Sequence, residues 1–370
     1  MRGKNFYIII IFLLAVIVGI TFYMFSFMSE KKSAAINRTN SEYRTGMEHL
    51  NSGNPEEAIK KFSGYLKDYP QDGHGYFCRG YAQEQMNRYN LAIQDYTRAL
   101  ELLPDSVSYY YNRAGAYLVT GDFESAIRDI EKLKTLKPEF GNVNEIQAEA
   151  LYKSAYNKVE ASDFTAAEEL LTKALELNAK ESHIFYARGI CRENLKKFEE
   201  AIEDYSKAIE LKPSFADYYK SRGFLYYLQK NYRKAISDFN YALEIDLNSA
   251  STYFNRGLCF SFLKNYSKAI SDFSKAIELK PDKADYYLNR GMVYLDAGQY
   301  NSSLNDMNSA IKLNSGLGMA YAVKGYTYIK LEMYNEATQN FSRALQLDKS
   351  LSGKLSPILE DLKKAGYTSE

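Results

Sequence analysis

Apolar and polar positions follow two different patterns along the chain. Residues 6–28 form a run of 23 residues without a charged side chain. At ~1.5 Å rise per residue, such a run spans roughly the 30 Å hydrocarbon core of a bilayer. Its apolar side chains surround the helix, whereas a core helix carries one apolar stripe. The run predicts an N-terminal transmembrane helix over 1–28, followed by a polar tether over 29–38. Beyond it the pattern is periodic, with small residues recurring every 34 positions at three phases. The first phase reads Gly46, Gly80, Ala114, Ala155, Gly189, Gly223, Gly257, Gly291 and Gly325. The second reads Ala58, Ala92, Ala126, Ala167, Ala201, Ala235, Ala269, Ser303 and Ala337. The third is alanine in seven of nine periods, Tyr65 and Leu133 being the exceptions. Small residues at fixed points let helix backbones approach closely. Finally, Leu355, Ile358, Leu359 and Leu362 recur at helical spacing and predict a closing amphipathic helix.

Proline sets the phase. Pro70, Pro104 and Pro138 stand 34 residues apart, and Pro213 and Pro281 stand 68 apart. Counted from them, the periods run 39–72, 73–106, 107–140, 148–181, 182–215, 216–249, 250–283, 284–317 and 318–351, with an insertion at 141–147. A period of this length, with small residues at its eighth, twentieth and twenty-seventh positions, resembles the tetratricopeptide repeat, a helix–turn–helix unit. The resemblance covers 39–351. It implies an all-α fold, a right-handed α-solenoid of nine such repeats, with a capping helix and tail over 352–370. It also implies two helices in each repeat, over about its first 14 positions and its 17th to 30th. At one turn, Gly53 is expected to reverse the chain, Asn54 to cap the second helix and Pro55 to occupy its first position. The seven inserted residues amount to about two helical turns. They predict that the first helix of the fourth repeat starts early and projects from the stack; a simple loop insertion is the alternative.

A charge pattern is locked to the same period. The seventh position carries Arg79, Arg113, Arg188, Arg222, Arg256 and Arg290, and the twenty-third carries Asp95, Asp129, Asp204, Asp238, Asp272 and Asp306. The three remaining repeats lack both partners, with Thr45 and Lys61, Ser154 and Leu170, and Lys324 and Asn340 at these positions. In an antiparallel hairpin the two positions lie opposite each other, so the pattern predicts structural Arg–carboxylate pairs between helices. If partly exposed, each would contribute only about 0–1 kcal/mol.

Composition removes several classes of function. The 370 residues hold 47 Lys+Arg against 46 Asp+Glu, a net charge of +1, so nucleic-acid binding through bulk positive charge is not expected. A hydrophobic fraction of 46% excludes a disordered chain, and three cysteines exclude a disulfide scaffold. Cys191 and Cys259, two repeats apart, stand too far from each other for a bond. His49, His74 and His183 occupy unrelated repeat positions without metal-ligand spacing, and no glycine-rich phosphate loop occurs. No catalytic site, metal, cofactor or small-molecule substrate is therefore expected. The chain holds 34 tyrosines and no tryptophan. Six tyrosines stand at the fourth position, where the family often has tryptophan: Tyr76, Tyr110, Tyr219, Tyr253, Tyr287 and Tyr321. They are read as packing between the two helices of a repeat.

The resemblance implies a function in protein docking. Arrays of this family bind a peptide or helix of a partner protein in a concave groove lined by the first helix of each repeat. On the fifth, sixth and ninth positions the candidate groove residues are Phe77, Tyr81, Tyr111, Asn112, Tyr152, Tyr156, Tyr186, Phe224, Phe254, Asn255, Asn289 and Tyr326. Rings supply contact area and amides bond a peptide backbone; packing between neighbouring first helices is the competing reading of the ring row. Some family members grip the acidic tail of chaperones with a clamp that needs asparagine at a ninth position. No repeat here has one, so that mode is not expected. An anchor followed by such repeats also resembles import receptors of organelle membranes. The sequence thus reads as a membrane-anchored, non-catalytic scaffold supporting complex assembly. A secreted or periplasmic binding protein cleaved near Ala35 is one alternative, and a regulatory subunit of an enzyme complex another. Arg2 and Lys4 favour a cytoplasmic N-terminus, opposed by Lys31, Lys32 and Arg38. A short tail before a long domain places the repeats on the extracytoplasmic side.

Overall fold

The structure, a computed structural model, describes residues 40–367. Among the described residues there are nineteen α-helices, one short 3-10 turn and no strand. The expected membrane helix, tether and orientation lie outside the described residues. Among those described, no helix is long and apolar enough to cross a membrane.

The chain divides into two compact units, meeting in sequence at Lys180 and Glu181. The first unit consists of four helical hairpins: α1 (Ser41–Asn51) with α2 (Pro55–Asp68), α3 (Gly73–Gln85) with α4 (Tyr89–Leu102), α5 (Val107–Thr120) with α6 (Phe123–Leu136), and α7 (Val143–Glu160) with α8 (Phe164–Leu177). The second consists of five: α9 (Ser182–Asn194) with α10 (Phe198–Leu211), α11 (Ala216–Leu228) with α12 (Tyr232–Ile245), α13 (Ala250–Phe262) with α14 (Tyr266–Leu279), α15 (Ala284–Asp296) with α16 (Tyr300–Leu313), and α17 (Gly318–Lys330) with α18 (Tyr334–Leu347). The turn Lys349–Leu351 and α19 (Ser352–Lys364) follow. Each hairpin also packs on the next one within its unit. The helices fall at the positions the 34-residue period predicts, the second helix always at the seventeenth to thirtieth.

The hairpin turn has one geometry throughout. The fifteenth position of every period is left-handed: Gly53, Gly121 and Gly298 at φ 72°, 83° and 76°, and Asn87, Ser162, Lys196, Lys230, Lys264 and Glu332 between 57° and 62°. The next residue precedes the second helix. Asp122, Asp163, Asn231 and Asn265 there each accept a hydrogen bond from a backbone amide three residues on. Asn54 stands at the equivalent place but makes no such bond, so it does not cap α2 as expected; Pro55 does occupy the first helical position.

Between the helices of a hairpin, the eighth position faces the twenty-fourth. A Cβ added at Gly257 would lie 2.9 Å from the Phe273 ring, and one at Gly189 2.5 Å from Tyr205. Where the opposing side chain is Ile130 or Leu171, without a flat ring, the eighth position holds Ala114 or Ala155.

The insertion corrects one expectation. Helix α7 does begin early, at Val143, but it does not project. Val143 and Ile146 are 4% and 7% exposed and pack with Ala114, Ile130 and Leu133 of the preceding hairpin. The insertion lengthens the helix by residues 143–147, about one and a half turns, and their apolar side finds burial more favourable than solvent. At the other end, Leu355 and Leu359 of α19 bury against Phe341 and Ala344 of α18. The exposed end of the last hairpin is thereby covered.

Candidate functional site

The predicted arginine–aspartate pairs all form within hairpins and all are bidentate. Arg79 Nε and Nη2 donate to Asp95 at 2.8 and 2.7 Å. Arg113 pairs in the same way with Asp129, Arg188 with Asp204, Arg222 with Asp238, Arg256 with Asp272 and Arg290 with Asp306. Their burial is uneven. The aspartate side chains are 3–8% exposed and the arginines 14–23%. Hydrogen bonding to Asp95 raises the Arg79 pKa against its burial. The third arginine nitrogen reaches a different hairpin. Nη1 of Arg79, Arg113, Arg222, Arg256 and Arg290 donates to Ser63, Thr97, Ser206, Asn240 and Ser274 of the preceding repeat. Each such guanidinium fastens its hairpin to the one before. Sequence reasoning missed this contact, although a polar residue at the twenty-fifth position was its signal. In the last hairpin, where Lys324 and Asn340 replace the pair, burial lowers the lysine pKa and the Asn340 amide bonds the Glu336 carbonyl instead.

The aromatic row separates into two classes. Fifth-position rings mostly serve packing. Phe77 is 2% exposed, stacked on Tyr109 at 4.3 Å and tilted on Tyr96 at 5.5 Å. Tyr186 lies against Tyr205 and Tyr218, and Phe254 against Phe273 and Tyr286. Each of these rings bridges the second helix of its own repeat and the first helix of the next. Phe77 is thus no groove residue, because its neighbours leave no surface for a partner. Asn112, at a sixth position, is likewise buried at 6% exposure, and its amide nitrogen donates to the Ser108 carbonyl of its own helix. The Asn289 amide donates in the same way to Asp285 from a half-buried position; burial closes Asn112 to a peptide backbone, whereas Asn289 keeps a second N–H. Tyr111 is half-buried against Phe140, and Tyr152 and Asn255 are half-buried.

Ninth-position residues behave differently. Every eighth-position residue is buried and not one ninth-position residue is. Tyr81, Phe224 and Tyr326 are half-buried, Met292 is exposed, and Tyr156 is 56% exposed. Met47, Tyr81, Ile190, Leu258 and Tyr326 also pack on the buried clusters, Tyr326 edge-on to Phe341 at 5.1 Å, so this row joins in packing while keeping surface.

In the first unit the ninth position of the third hairpin is Gly115, and a Cβ there would meet nothing within 4 Å. A shallow recess, open to solvent, lies at this point. Tyr111, Asn112 and Leu118 of α5, Ile130 and Leu133 of α6, and Val143 and Ile146 of α7 form its walls, with Glu84 of α3. The inserted turns therefore build one side of it. Glu84 accepts a hydrogen bond from the Tyr96 hydroxyl at 2.5 Å, and burial pushes its carboxyl up to about 7. Glu193 accepts from Tyr205 in the same way in the second unit. Sequence reasoning overlooked this pairing, although glutamate occupies the twelfth position only in the two repeats with tyrosine at the twenty-fourth.

No group of three or more His, Cys, Asp or Glu side chains suited to a metal ion exists among the described residues. None of the three cysteines forms a disulfide, and all are buried. Burial pushes the Cys78 and Cys259 thiols up to about 12, which removes the thiolate that nucleophilic chemistry needs.

Comparison with known proteins agrees with this repeat geometry. Models described as "Tetratricopeptide repeat" match residues 75–106, 107–140, 250–283, 284–316 and 320–351, and one described as "TPR repeat" matches 194–230, together more than half of the chain. The chain belongs to the tetratricopeptide-repeat family. Such repeats mediate protein–protein interaction. Among curated proteins, human serine/threonine-protein phosphatase 5 is 35% identical over 83 residues, 22% of this chain and 17% of its own length. Hsp70-Hsp90 organizing protein 1 of Glycine max is 36% identical over 103 residues, 27% of this chain and 18% of its own. The similarity thus spans less than a fifth of either relative. Among solved structures, PilF of Pseudomonas aeruginosa is 18% identical with a TM-score of 0.49, covering 59% of this chain and 97% of that one.

Proposed function

We propose that the chain is a membrane-anchored, non-catalytic docking scaffold, in which all nine hairpins are tetratricopeptide repeats and ninth-position side chains receive a peptide or helix of a partner protein. The observation that carries the reading is the contrast between neighbouring positions of the first helices. Eighth-position residues are consumed by packing, while ninth-position residues retain surface, most of all Tyr156. An exposed tyrosine offers ring area and a polar tip at low entropic cost, a common feature of binding surfaces. Residues 6–28 hold the array at a membrane, on the extracytoplasmic side, and raise the local concentration of partners there.

The test is capture of partners by the full chain in mild detergent. Tyr156→Asp should reduce capture at least about tenfold, the loss of one well-packed anchor, with helicity by circular dichroism unchanged. Tyr241→Asp, equally solvent-exposed at 51% but on a second helix, should leave it intact. Equal capture by both variants and the parent chain would remove the ninth-position row as the docking face. Fractionation and N-terminal sequencing check the anchor. Recovery in the membrane fraction with the starting methionine region present is expected, whereas a mature protein beginning near Ala35 would make it a released binding protein.

A further inference from the structure

The recess beside Gly115 carries a charge that its walls do not balance. Glu84 is its acidic group, and the single hydrogen bond the carboxylate receives comes from Tyr96. Among the described residues, no lysine or arginine forms an ion pair with it. The titratable groups that feel its charge are Tyr81 on its own helix, Tyr89 and Tyr96 on α4 and Tyr111 on α5, all neutral phenols whose pKa values are raised. The α6 and α7 walls are apolar. A second, independent group points the same way. Asn112 lines the recess at 6% exposure, its amide nitrogen donates to the Ser108 carbonyl, and its Oδ1 accepts no hydrogen bond. A buried acceptor left unpaired is costly and marks a place where a donor belongs. Glu84 and the Asn112 oxygen are thus acceptors, one of them acidic, and the Tyr111 hydroxyl is the remaining polar side-chain group of the lining.

We infer that this recess is a subsite for a basic side chain, lysine or arginine, presented by the partner segment. The aliphatic stem lies along Leu118, Val143 and Ile146, and the ammonium or guanidinium donates to Glu84 and to Asn112 Oδ1. A nearby tyrosine ring adds cation–π attraction. An acidic side chain is repelled, and an aliphatic one buries both acceptors without a donor. The inference rests on the docking reading above and adds the chemistry of the docked segment.

Protonation gives the proposal a signature. Burial raises the Glu84 pKa to about 7, so the carboxyl is largely neutral at pH 6 and ionised at pH 8. A cation binds the ionised form, so affinity should rise about tenfold between those pH values and proton release should accompany binding below pH 7.

The experiment is a positional-scanning library of acetylated hexapeptides captured by the full chain. At one position, lysine or arginine should be enriched at least about tenfold over norleucine and glutamate, more strongly at pH 8 than at pH 6. Glu84→Gln, which keeps the shape, should abolish both the preference and its pH dependence. Gly115→Leu, which fills the opening without altering charge, should abolish capture at that position. Peptides captured without basic preference, or a preference that survives Glu84→Gln, overturn the subsite and leave the docking reading standing. If no peptide of any composition is captured, both fall.

Discussion

At the scale of single residues, the strongest regularity is the buried arginine–aspartate pair. Its aspartates are almost inaccessible to solvent, so removing one partner leaves a buried charge without compensation. Asp238→Asn should therefore destabilise the chain by about 3 kcal/mol. Adding Arg222→Met should recover part of that loss, giving a coupling of about 1–3 kcal/mol in a double-mutant cycle. Additive effects in denaturant titrations would show that the two side chains do not stabilise each other. The co-occurrence of the partners was legible because one lattice of positions repeats many times. Their depth was not, since burial depends on the neighbouring hairpin, whose Ser206 side chain also binds Arg222. The aromatic row shows the same limit. Sequence spacing places Phe77 and Tyr81 on one helix face, but only packing separates the ring sealed against Tyr109 from the one left half-exposed.

At the scale of the element, the hairpin turn holds six non-glycine residues in the left-handed region. That conformation costs an L-residue about 1–2 kcal/mol, against roughly 0.5–1 kcal/mol for the extra unfolded-state freedom of glycine. Lys264→Gly should accordingly stabilise by about 0.5 kcal/mol, and the same change at Lys196, Lys230 and Lys264 together by about 1.5 kcal/mol. A lower denaturation midpoint for the triple variant would show that these lysines do more than reverse the chain. Gly53, Gly121 and Gly298, and to a lesser degree Asn87, are local signals of the turn. Ser162 and Glu332 adopt it without one, because the helices on either side dictate the path. Helix α7 makes a related point. The sequence showed that seven residues were added, but whether they projected or packed was decided by Ile130 and Leu133 of the adjacent hairpin.

At the scale of the molecule, each unit is built from hairpins that cannot bury their apolar faces alone. The end of the last hairpin depends on α19. Deleting residues 351–370 should uncover Phe341 and Ala344 and lower hydrogen-exchange protection throughout α17 and α18, leaving α11 to α14 protected as before. Unchanged protection in α17 and α18 would show that the hairpin closes without its cover.

The sequence alone determined the 34-residue period, the two helices within it, the small residues where helices approach and the pairing of arginine with aspartate. These follow from local chemistry multiplied by repetition, which turns weak preferences into a clear signal. The tertiary structure decided which rings are sealed and which remain at the surface, that the guanidiniums tie one hairpin to the next, and that an insertion and a glycine together open a recess around Glu84. Those outcomes depend on what lies opposite each side chain, and the facing atoms come from residues tens of positions away in the chain.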